Sequence, residues 1–433
     1  MAPNKRKHPS STPTKTTNQI INNKKGRFNF NQIELPELRT EGVLLVSGSG
    51  DVGQLGLGPD ILEKSRPALV TSKHEIVDIY AGGMHTVCLT KAGKVLTFGC
   101  NDEGTLGRLT EDEDDSFVPG EVAIPGKVIQ ISAGDSHSAA LMDDGRVFAW
   151  GTFRDCHGGM GLSVNGSERL PIEIIKQKKI VKIASGDDHL VFLTDTGEVW
   201  TCGRAEQGQL GRTTKRSSDR AEIRKNGDGI KTFVNPAPIS LKPSLKLRFD
   251  NIWASTSGTF AKVANKDDIY VFGLNNFHQI SLGQVEAQYL PKRSQDFSKY
   301  KWQHITGGMH HTLGLTVDGE VYAIGRKEYG RLGLGKNCED ATILTKIKGL
   351  TGTVVVNIAC GSMTSFAVSN KGQLYGWGMG TNGQLGLGND EDAFEPTPIE
   401  SKQLKDKKVM RVSSGGQHTL ILATTTEKKI NGH

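Results

Sequence analysis

The stretch from Gly42 to Gly93 decides the fold of this chain. It opens with G-V-L-L-V-S-G-S-G-D-V-G-Q-L-G-L-G and, after a polar connection, ends with I-V-D-I-Y-A-G-G-M-H-T-V-C-L-T-K-A-G. The same order returns six more times, and the steps between successive starts are 51, 52, 52, 71, 51 and 53 residues. A repeat of about 50 residues is typical of propellers and solenoids. The later units start at Gly93, Gly145, Gly197, Asp268, Gly319 and Gly372.

The composition of one unit favours the propeller. Val43–Val46, Ile76–Tyr80 and Thr86–Thr90 are short β-rich runs with no helical periodicity between them. Glycines bound these runs because tight turns need a positive φ and backbones crowd near a propeller axis. We therefore predict an all-β, seven-bladed β-propeller built from seven repeats, mostly of 51–53 residues, in which each unit forms one blade. The last strand runs, at 409–412 and 419–422, should close the ring against the first blade and so protect the sheet edges.

The predicted propeller spans residues 41–424, between a basic tail at 1–40 and a flexible C-terminus at 425–433. Residues 1–27 hold seven Lys and Arg residues and no acidic residue, so the rest of the chain carries about −1 of the net charge of +6. A segment so poor in apolar residues is predicted to be disordered. Its basic clusters favour nuclear import and contacts with DNA phosphates, and a solvated extension without function is the alternative. The basic residues are Lys5, Arg6, Lys7, Lys15, Lys24, Lys25 and Arg27.

Several other classes of protein are disfavoured by the sequence. The six cysteines show no C-x-x-C spacing, which favours a reduced intracellular compartment. There is no secretory signal and no apolar run of about 18 residues, so no membrane association is predicted. The G-x-S-x-G, H-E-x-x-H and Walker patterns are absent, so we predict neither a hydrolase nor a lyase, and neither a metal nor a cofactor. Asp155, Cys156 and His157 are neighbours on one turn and do not face each other as a nucleophile and its base would.

Residues that recur at one position in most units serve the unit itself. The G-Q-L-G turn at Gly53–Gly56, Gly208–Gly211 and Gly383–Gly386 is therefore interpreted as scaffold. A histidine occupies one register in five of the seven units, and Gly258 and Thr364 replace it in the other two. We interpret these histidines mainly as structural groups bonded to a neighbouring strand, although equivalent positions also share one face of the ring. They are His85, His137, His189, His310 and His418.

Two departures from the repeat require another explanation. Where the first unit has Gly83-Met84, the second has Asp135-Ser136 and the third has Asp187-Asp188. Adjacent carboxylates repel each other unless a cation or the donors of a partner satisfy them, and solvated turn aspartates are the alternative. The other departure is the third hairpin, Gly151–Gly161, whose turn spans ten positions where the equivalent turn from Gly99 to Gly107 spans eight.

The two extra residues should make the third hairpin protrude from the ring, with Phe153 exposed beside Arg154 and Asp155. Protruding loops on a rigid scaffold are common places for function.

Two other loops are less informative. The acidic loop at 110–115 is interpreted as a solvated surface, and the polar insertion at 213–248 as a mobile loop for which a nucleic-acid contact is the alternative.

The ordered set of motifs resembles one family. G-D-V-G-Q-L-G-L-G, A-G-G-M-H-T, F-G-C-N-D-E-G, S-A-G-D-S-H, E-Q-G-Q-L-G-R, W-G-M-G-T-N and S-S-G-G-Q-H-T follow one another over residues 42–423. This order, with the basic tail and the longer third hairpin, is similar to the regulator of chromosome condensation family. Its members are chromatin-bound guanine-nucleotide exchange factors for the small GTPase Ran. The resemblance implies a nuclear protein that supports nucleocytoplasmic transport and the assembly of the mitotic spindle and nuclear envelope.

The resemblance also implies roles for individual residues. Asp188 matches the acidic residue whose loss most impairs exchange, so it is the expected catalytic residue. The expected GTPase-binding residues are Asp51, His85, Asp135, Arg212, His310 and His418, together with a protruding wedge formed by Phe153, Arg154, Asp155, Cys156, His157, Gly158, Gly159 and Met160. The tail is expected to reach an import receptor and the nucleosome, through DNA and the acidic patch of histones H2A and H2B. Its expected contact residues are Lys5, Arg6, Lys7, Lys24, Lys25 and Arg27.

Exchange of this kind involves no covalent chemistry, because the factor binds the nucleotide-free GTPase more tightly than the loaded one. The alternative is a pure scaffold, a propeller that binds partners without exchange activity. The longer third hairpin beside Asp188 favours the exchange factor, since a scaffold does not require it.

Overall fold

A computed structural model describes residues 40–112, 114–218 and 229–425. The basic residues predicted to contact chromatin and an import receptor lie outside the described residues, as do Arg220, Arg224 and Lys225 of the insertion. The described residues form seven four-stranded antiparallel sheets and one two-stranded ribbon. The predicted all-β, seven-bladed propeller is therefore confirmed. No helix in the described part of the chain has the length and apolar content needed to cross a membrane.

The strands follow the short β-rich runs and are mostly five to seven residues long. In chain order they are β1 (Val43–Ser49), β2 (Glu63–Leu69), β3 (Ile76–Ala81), β4 (His85–Thr90), β5 (Val95–Gly99), β6 (Gly120–Val122), β7 (Val128–Ala133), β8 (His137–Met142), β9 (Val147–Gly151), β10 (Phe153–Asp155), β11 (Gly158–Gly161), β12 (Glu168–Glu173), β13 (Ile180–Ser185), β14 (His189–Thr194), β15 (Val199–Gly203), β16 (Ala237–Pro238), β17 (Phe249–Ser255), β18 (Gly258–Val263), β19 (Ile269–Gly273), β20 (Gln288–Ser294), β21 (Trp302–Gly307), β22 (His311–Thr316), β23 (Val321–Gly325), β24 (Ala341–Lys346), β25 (Val355–Cys360), β26 (Thr364–Ser369), β27 (Leu374–Gly378), β28 (Ala393–Pro398), β29 (Lys407–Ser414) and β30 (His418–Thr425).

The described helical segments are short and lie in the connections. One is an α-helix, α1 (Lys231–Val234), and the others are 3-10 turns at Asp114–Phe117, Arg216–Ser218, Pro243–Leu245, Phe297–Lys299, Glu328–Gly330 and Lys348–Leu350.

The sequence repeat is offset from the blade. Blade 1 consists of β3–β6, blade 2 of β7, β8, β9 and β12, blades 3 to 6 of β13–β16, β17–β20, β21–β24 and β25–β28, and blade 7 of β29, β30, β1 and β2. The unit Gly42–Gly93 therefore contributes β1 and β2 to one blade and β3 and β4 to the next. The prediction that each unit forms one blade is wrong in this respect, because a periodic pattern carries no information on which neighbouring strands share hydrogen bonds.

The two ends of the described chain close the ring within one sheet. Strand β1 pairs with β30 in antiparallel register from Val43 opposite Ala423 to Gly48 opposite His418. The predicted closure is confirmed, and it is made by strand pairing inside blade 7 rather than by packing between two complete blades. Shared pairing of this kind removes the free sheet edge that an open ring would have.

Buried histidines connect neighbouring blades. In each of five blades the second strand begins with a histidine whose Nε2 meets a hydroxyl of the next blade, as His85 meets Ser138 at 2.8 Å. Burial lowers the pKa of the His85 ring to about 3, so it is neutral. The other four contacts are His137–Ser185 at 3.2 Å, His189–Thr259 at 2.9 Å, His311–Ser365 at 2.9 Å and His418–Thr86 at 3.0 Å.

One histidine of this set was assigned to the wrong register. The fifth blade has His311, not His310, at the first position of its second strand, and the His311 ring is fully buried. The turn before it has three residues, as in the first blade, and His310 is the last of them, at the position that Met84 occupies there. The predicted structural role is confirmed for the other four. In blade 4, Gly258 replaces the histidine. Thr312 of blade 5 occupies the position at which the other blades present a hydroxyl to such a histidine, and its buried hydroxyl has no hydrogen-bond partner.

The hydrophobic core is divided among the blade interfaces. The largest cluster lies between blades 2 and 3 and includes Leu141, Val147, Ile183 and Phe192, all at most 1% exposed. Six similar clusters fill the other interfaces. Each blade is thus supported by packing on both of its neighbours.

The scaffold glycines generate a prediction about stability. Gly56 has a φ of +65°, and a Cβ there would lie 2.6 Å from the buried ring of Phe98. Gly386 has a φ of +72°. A Cβ added there would have more room, since its nearest neighbour would be the Ser47 hydroxyl at 3.2 Å. Both Gly→Val variants should lose about 1–3 kcal/mol of unfolding free energy from backbone strain. Gly56→Val should lose a further 1–3 kcal/mol or so because the ring must move.

Denaturant titration of both variants measures these losses. Gly283→Ala is the matched control, since Gly283 has no positive φ and an added Cβ meets nothing within 4 Å. Equal stability of Gly56→Val and Gly386→Val would show that the Phe98 contact does not limit this turn.

Candidate functional site

One end of the ring collects the residues that depart from the repeat. Because the strands within a blade are antiparallel, the turn between the first and second strands and the connection between the third and fourth emerge at the same end. We call this end the turn face. It carries the turns at Gly134–Ser136 and Gly186–Asp188 and the third hairpin, which connects β9 to β12.

The two adjacent aspartates occupy different environments. The Asp187 side chain borders a polar cavity of about 490 Å³ on the ring axis, which Asp135 of the preceding blade also lines. The Asp135 amide donates to the Asp187 carbonyl at 2.7 Å, so the two turns are directly connected. The Asp188 side chain is only 12% exposed and contacts the third hairpin rather than this cavity. Asp187 therefore faces the axis, whereas Asp188 supports the hairpin.

Burial changes the protonation of both groups. Burial, together with the nearby carboxylates of Asp135 and Asp188, raises the pKa of Asp187 to about 7. Burial also raises the pKa of Asp188 to about 6, although the amide of Arg154 and the guanidinium of Arg204 favour its charged form. Both carboxyl groups are therefore poorly solvated and would gain from a cationic or hydrogen-bond-donating partner.

The third hairpin is a short ribbon with buried ends and an exposed tip. Strands β10 and β11 pair from Phe153 opposite Gly161 to Asp155 opposite Gly158. Phe153 was expected to be exposed, and this expectation is wrong, because its side chain is fully buried and its ring lies 4.8 Å from the ring of His137. Met160 is also buried, at 6% exposure. The two side chains fix the base of the ribbon in the core between blades 2 and 3.

Acidic side chains hold the ribbon on both sides. On one side, the Arg154 guanidinium pairs with Glu103 at 2.9 Å. On the other, the Cys156 thiol donates to Oε1 of Glu206 at 2.8 Å, and the Cys156 amide donates to Oε2 at 3.2 Å. Because Glu103 and Glu206 belong to the corresponding turns of blades 1 and 3, the ribbon is braced between its two neighbours.

Asp188 connects the ribbon to the acidic turn. Its Oδ1 accepts the backbone N–H of Arg154 at 2.8 Å. Its Oδ2 lies 3.9 Å from a guanidinium nitrogen of Arg204, which also pairs with Glu206 at 3.0 Å. One Asp188 oxygen is thus used within the chain, and the other makes only a long ion pair.

The remaining predicted contact residues fall into exposed and buried groups. Asp51 and Asp135 are exposed on turns, and His310 is half-buried on its turn, with its ring 5.0 Å from that of Phe277. His85 and His418 are at most 1% exposed, so the predicted GTPase contacts of these two rings are inconsistent with the structure. Their side chains are occupied by the hydrogen bonds between blades.

Arg212 has a structural environment. Its guanidinium donates to the carbonyl oxygens of Thr201, Phe233 and Asn235 at 3.3–3.4 Å, and burial lowers its pKa. Arg108 makes the equivalent set of contacts two blades earlier.

The sequence interpretation missed the residues that brace the ribbon, which are Glu103, Arg204 and Glu206. Glu206 occupies the third position after a strand-ending glycine, where other units have Asp51, Asp102 and Glu328. This acidic recurrence is visible in the sequence, but its contact with Cys156 depends on the position of the ribbon.

Comparison with known proteins shows the family of this chain. A family model described as an RCC1-like domain matches residues 43–421. The human regulator of chromosome condensation is 44% identical over 393 residues, which cover 89% of this chain and 92% of the human protein. The chain belongs to the regulator of chromosome condensation family. Within it, the Saccharomyces cerevisiae relative named guanine nucleotide exchange factor SRM1 is 30% identical, with 86% of this chain and 85% of that protein covered.

Solved structures of the family have the same fold. The crystal structure of Prp20p from Saccharomyces cerevisiae, described with its binding properties to Gsp1p and histones, matches with a TM-score of 0.81 and 28% identity over 92% of this chain and 94% of Prp20p. Yeast RCC1 (Prp20) in a crystal structure with Kap60 matches with a TM-score of 0.82 and 27% identity over 98% of this chain and 97% of that chain.

The raised pKa of Asp187 predicts how this family member responds to pH. Between roughly pH 4 and pH 7 the native carboxyl holds a proton that the unfolded chain releases, so this group lowers stability as the pH rises through that window. Asp187→Asn removes the effect. Relative to the wild type, the unfolding free energy of the variant should rise by about 1–3 kcal/mol between pH 5 and pH 8. Each unit of raised pKa corresponds to about 1.4 kcal/mol.

Urea titrations at the two pH values measure this difference. Asp144→Asn is the control, because the amide and guanidinium of Arg146 lower the pKa of that exposed carboxyl, and its loss cannot raise stability at pH 8. A pH-independent difference between Asp187→Asn and the wild type would mean that Asp187 is charged throughout.

Proposed function

We propose that this chain is a guanine-nucleotide exchange factor for the small GTPase Ran and that it acts on chromatin in the nucleus. The observation that carries the proposal is the braced ribbon beside Asp188 on the turn face. A rigid protruding element next to poorly solvated carboxylates fits the task of displacing a nucleotide held by backbone amides, a Lys and Mg²⁺. The names of the relatives support the proposal, since one is called a guanine nucleotide exchange factor.

The proposed mechanism is a difference in binding affinity. A factor that binds the nucleotide-free GTPase more tightly than the loaded form lowers the affinity of the GTPase for nucleotide by the same factor. No covalent bond is made or broken, and the cellular excess of GTP sets the direction. The ribbon suits this role because its base is buried and its sides are paired, so it resists displacement when pressed against a partner.

The wedge residues divide between support and contact. Phe153 and Met160 hold the base, whereas the exposed residues present a surface to the phosphate-binding loop of the GTPase. These exposed or partly exposed residues are Arg154, Asp155, Cys156, His157, Gly158 and Gly159. Asp51, Asp135 and His310 are proposed as further contacts around the same face, and the partly exposed Arg212 as another.

Asp188 is the proposed catalytic residue. Its Oδ1 is already bonded to Arg154, so Oδ2 is the oxygen available to basic groups that become exposed when Mg²⁺ and phosphate leave the GTPase. Replacing the long contact with Arg204 by a closer cation would stabilise a carboxylate whose pKa is raised by burial. The nucleotide-free complex gains this interaction, and the loaded complex does not.

The proposed site on chromatin is the basic tail. The tail at 1–40 precedes the propeller at 41–424, and residues 425–433 follow it. We assign the tail to nucleosomal DNA, to the acidic patch of histones H2A and H2B and to an import receptor. The binding of Prp20p to histones and the complex of Kap60 with yeast RCC1 support these partners. Production of Ran-GTP at chromatin would support nucleocytoplasmic transport and the assembly of the spindle and nuclear envelope.

The first functional test concerns the charge of Asp188. Asp188→Ala removes both the charge and the acceptor for Arg154, whereas Asp188→Asn keeps the acceptor and removes the charge. If the carboxylate contacts the GTPase, both variants should slow catalysed GDP release roughly 30- to 1,000-fold, the usual effect of removing one partner of a desolvated charge pair. Stopped-flow release of fluorescent GDP from Ran measures the rates.

Asp187→Asn is the matched control, since it changes a neighbouring carboxylate that faces the axis, and it should slow release much less. Wild-type rates for Asp188→Asn together with a loss for Asp188→Ala would assign Asp188 to holding the ribbon rather than to catalysis. If the wild-type chain does not accelerate GDP release from Ran, the correct function is the alternative, a scaffold that binds partners without exchange activity.

The second functional test separates the tail from the propeller. Replacing the six basic contact residues of the tail with Ala should leave the exchange rate in solution unchanged, because the proposed GTPase contacts all belong to the propeller. Binding to nucleosomes should weaken, and its salt dependence should flatten as phosphate contacts are lost. Gel-shift titration at several salt concentrations and the GDP-release assay measure the two effects. A lower exchange rate in solution would contradict this division of roles.

A further inference from the structure

The tip of the ribbon gathers three side chains that are typical zinc ligands. Cys156, His157 and Glu206 each place one ligand atom within 4.8 Å of those of the other two. Among the residues that the structure describes, this is the one such group of three or more His, Cys, Asp and Glu side chains. Thiolate, imidazole and carboxylate are the donors that Zn²⁺ takes in proteins.

We infer that Cys156, His157 and Glu206 form a site for Zn²⁺ that fastens the tip of the ribbon to the neighbouring blade. Cys156 and His157 are the two central residues of the turn between β10 and β11, and Glu206 lies on the turn that follows β15. The metal would therefore bridge blades 2 and 3. Three protein ligands leave the fourth position of a tetrahedral ion for water.

The existing contacts need little change to accept the ion. The Cys156 Sγ and the Glu206 Oε1 lie 2.8 Å apart, joined by the thiol proton. Bond lengths of about 2.0–2.3 Å to Zn²⁺ place neighbouring ligand atoms roughly 3.3–3.8 Å apart. A movement of about 1 Å at the exposed tip is thus sufficient. On binding, Zn²⁺ takes the place of the thiol proton, which passes to the buffer.

The surroundings already orient the ligands. The other carboxylate oxygen of Glu206 accepts from Arg204 Nε at 3.1 Å and from the Cys156 amide at 3.2 Å, so Oε1 is held toward the thiol. The His157 amide donates to the Asp155 carboxylate at 2.8 Å, which fixes the turn that carries the imidazole. Outer contacts of this kind commonly support metal ligands.

Zinc uptake by the purified full chain tests the inference. The wild type should take up one Zn²⁺ in competition with a chromophoric chelator, and Co²⁺ in its place should give a thiolate-to-metal absorption band. Cys156→Ser should abolish the band, and Cys156→Ser and His157→Asn should each weaken Zn²⁺ binding beyond the roughly 10- to 100-fold cost of losing an outer contact. Cys338→Ser, at another partly exposed cysteine, should bind Zn²⁺ as the wild type does.

Thermal melts of the metal-free variants serve as the control for folding, and the exposed substitutions should leave the melting temperature close to that of the wild type. No stoichiometric uptake by the wild type would overturn the inference. So would Cys156→Ser with unchanged affinity, since the metal would then be bound by other histidines. Uptake is measured on the chain alone, so the result does not depend on exchange activity.

Discussion

The structure depends on a closed ring of backbone hydrogen bonds around the propeller axis. In each blade, an amide of the turn after the first strand donates to a carbonyl of the next blade. The seven bonds are Gly83–Gly134, Asp135–Asp187, Asp187–Thr256, Thr256–Gly307, Met309–Ser362, Ser362–Gly415 and Gly416–Gly83. In three blades the residue before the donor has no room for a side chain, since an added Cβ at Gly82, Gly134 or Gly186 would lie 2.2 Å from the histidine ring of its own blade. In these three blades the histidine ring fills the space that the glycine leaves.

This ring of hydrogen bonds explains how the residues of the candidate site are positioned. Asp135 and Asp187 are themselves members of it, so their backbones are fixed by the same bonds that hold the blades. Their side chains can therefore stay close to each other despite their repulsion. Asp188 follows directly and is turned away from the axis, where it accepts the amide of Arg154. The acidic turn and the ribbon are thus parts of one connected structure, and the scaffold supplies the rigidity that the mechanism needs.

The sequence predicted the number of blades, the strand runs and the place of the ribbon, because these depend on periodicity and on local length. It did not predict the offset between unit and blade, because a repeat pattern does not show which strands pair by hydrogen bonds. His310 was assigned in place of His311 because Gly307–His310 repeats the letters of Gly82–His85 but lies one residue out of register with the strand boundaries. Phe153 was expected outside, yet extra residues lengthen only the tip of a hairpin, and its first residue still points into the core. Glu103 and Glu206 could not be found because their contacts join separate blades.

The turn face also shows how stability and function are divided. Burial raises the pKa values of Asp187 and Asp188, which means that ionised carboxylates there make the free chain less stable at neutral pH. The packing between the blades and the ring of backbone hydrogen bonds offset that cost. The position of Asp187 is occupied by glycine in the first and seventh units, which have Gly83 and Gly416, so the scaffold does not require an acid there. Under the proposed function, a basic group of the GTPase that approaches Asp188 would offset part of this cost, and that interaction would be available only in the complex.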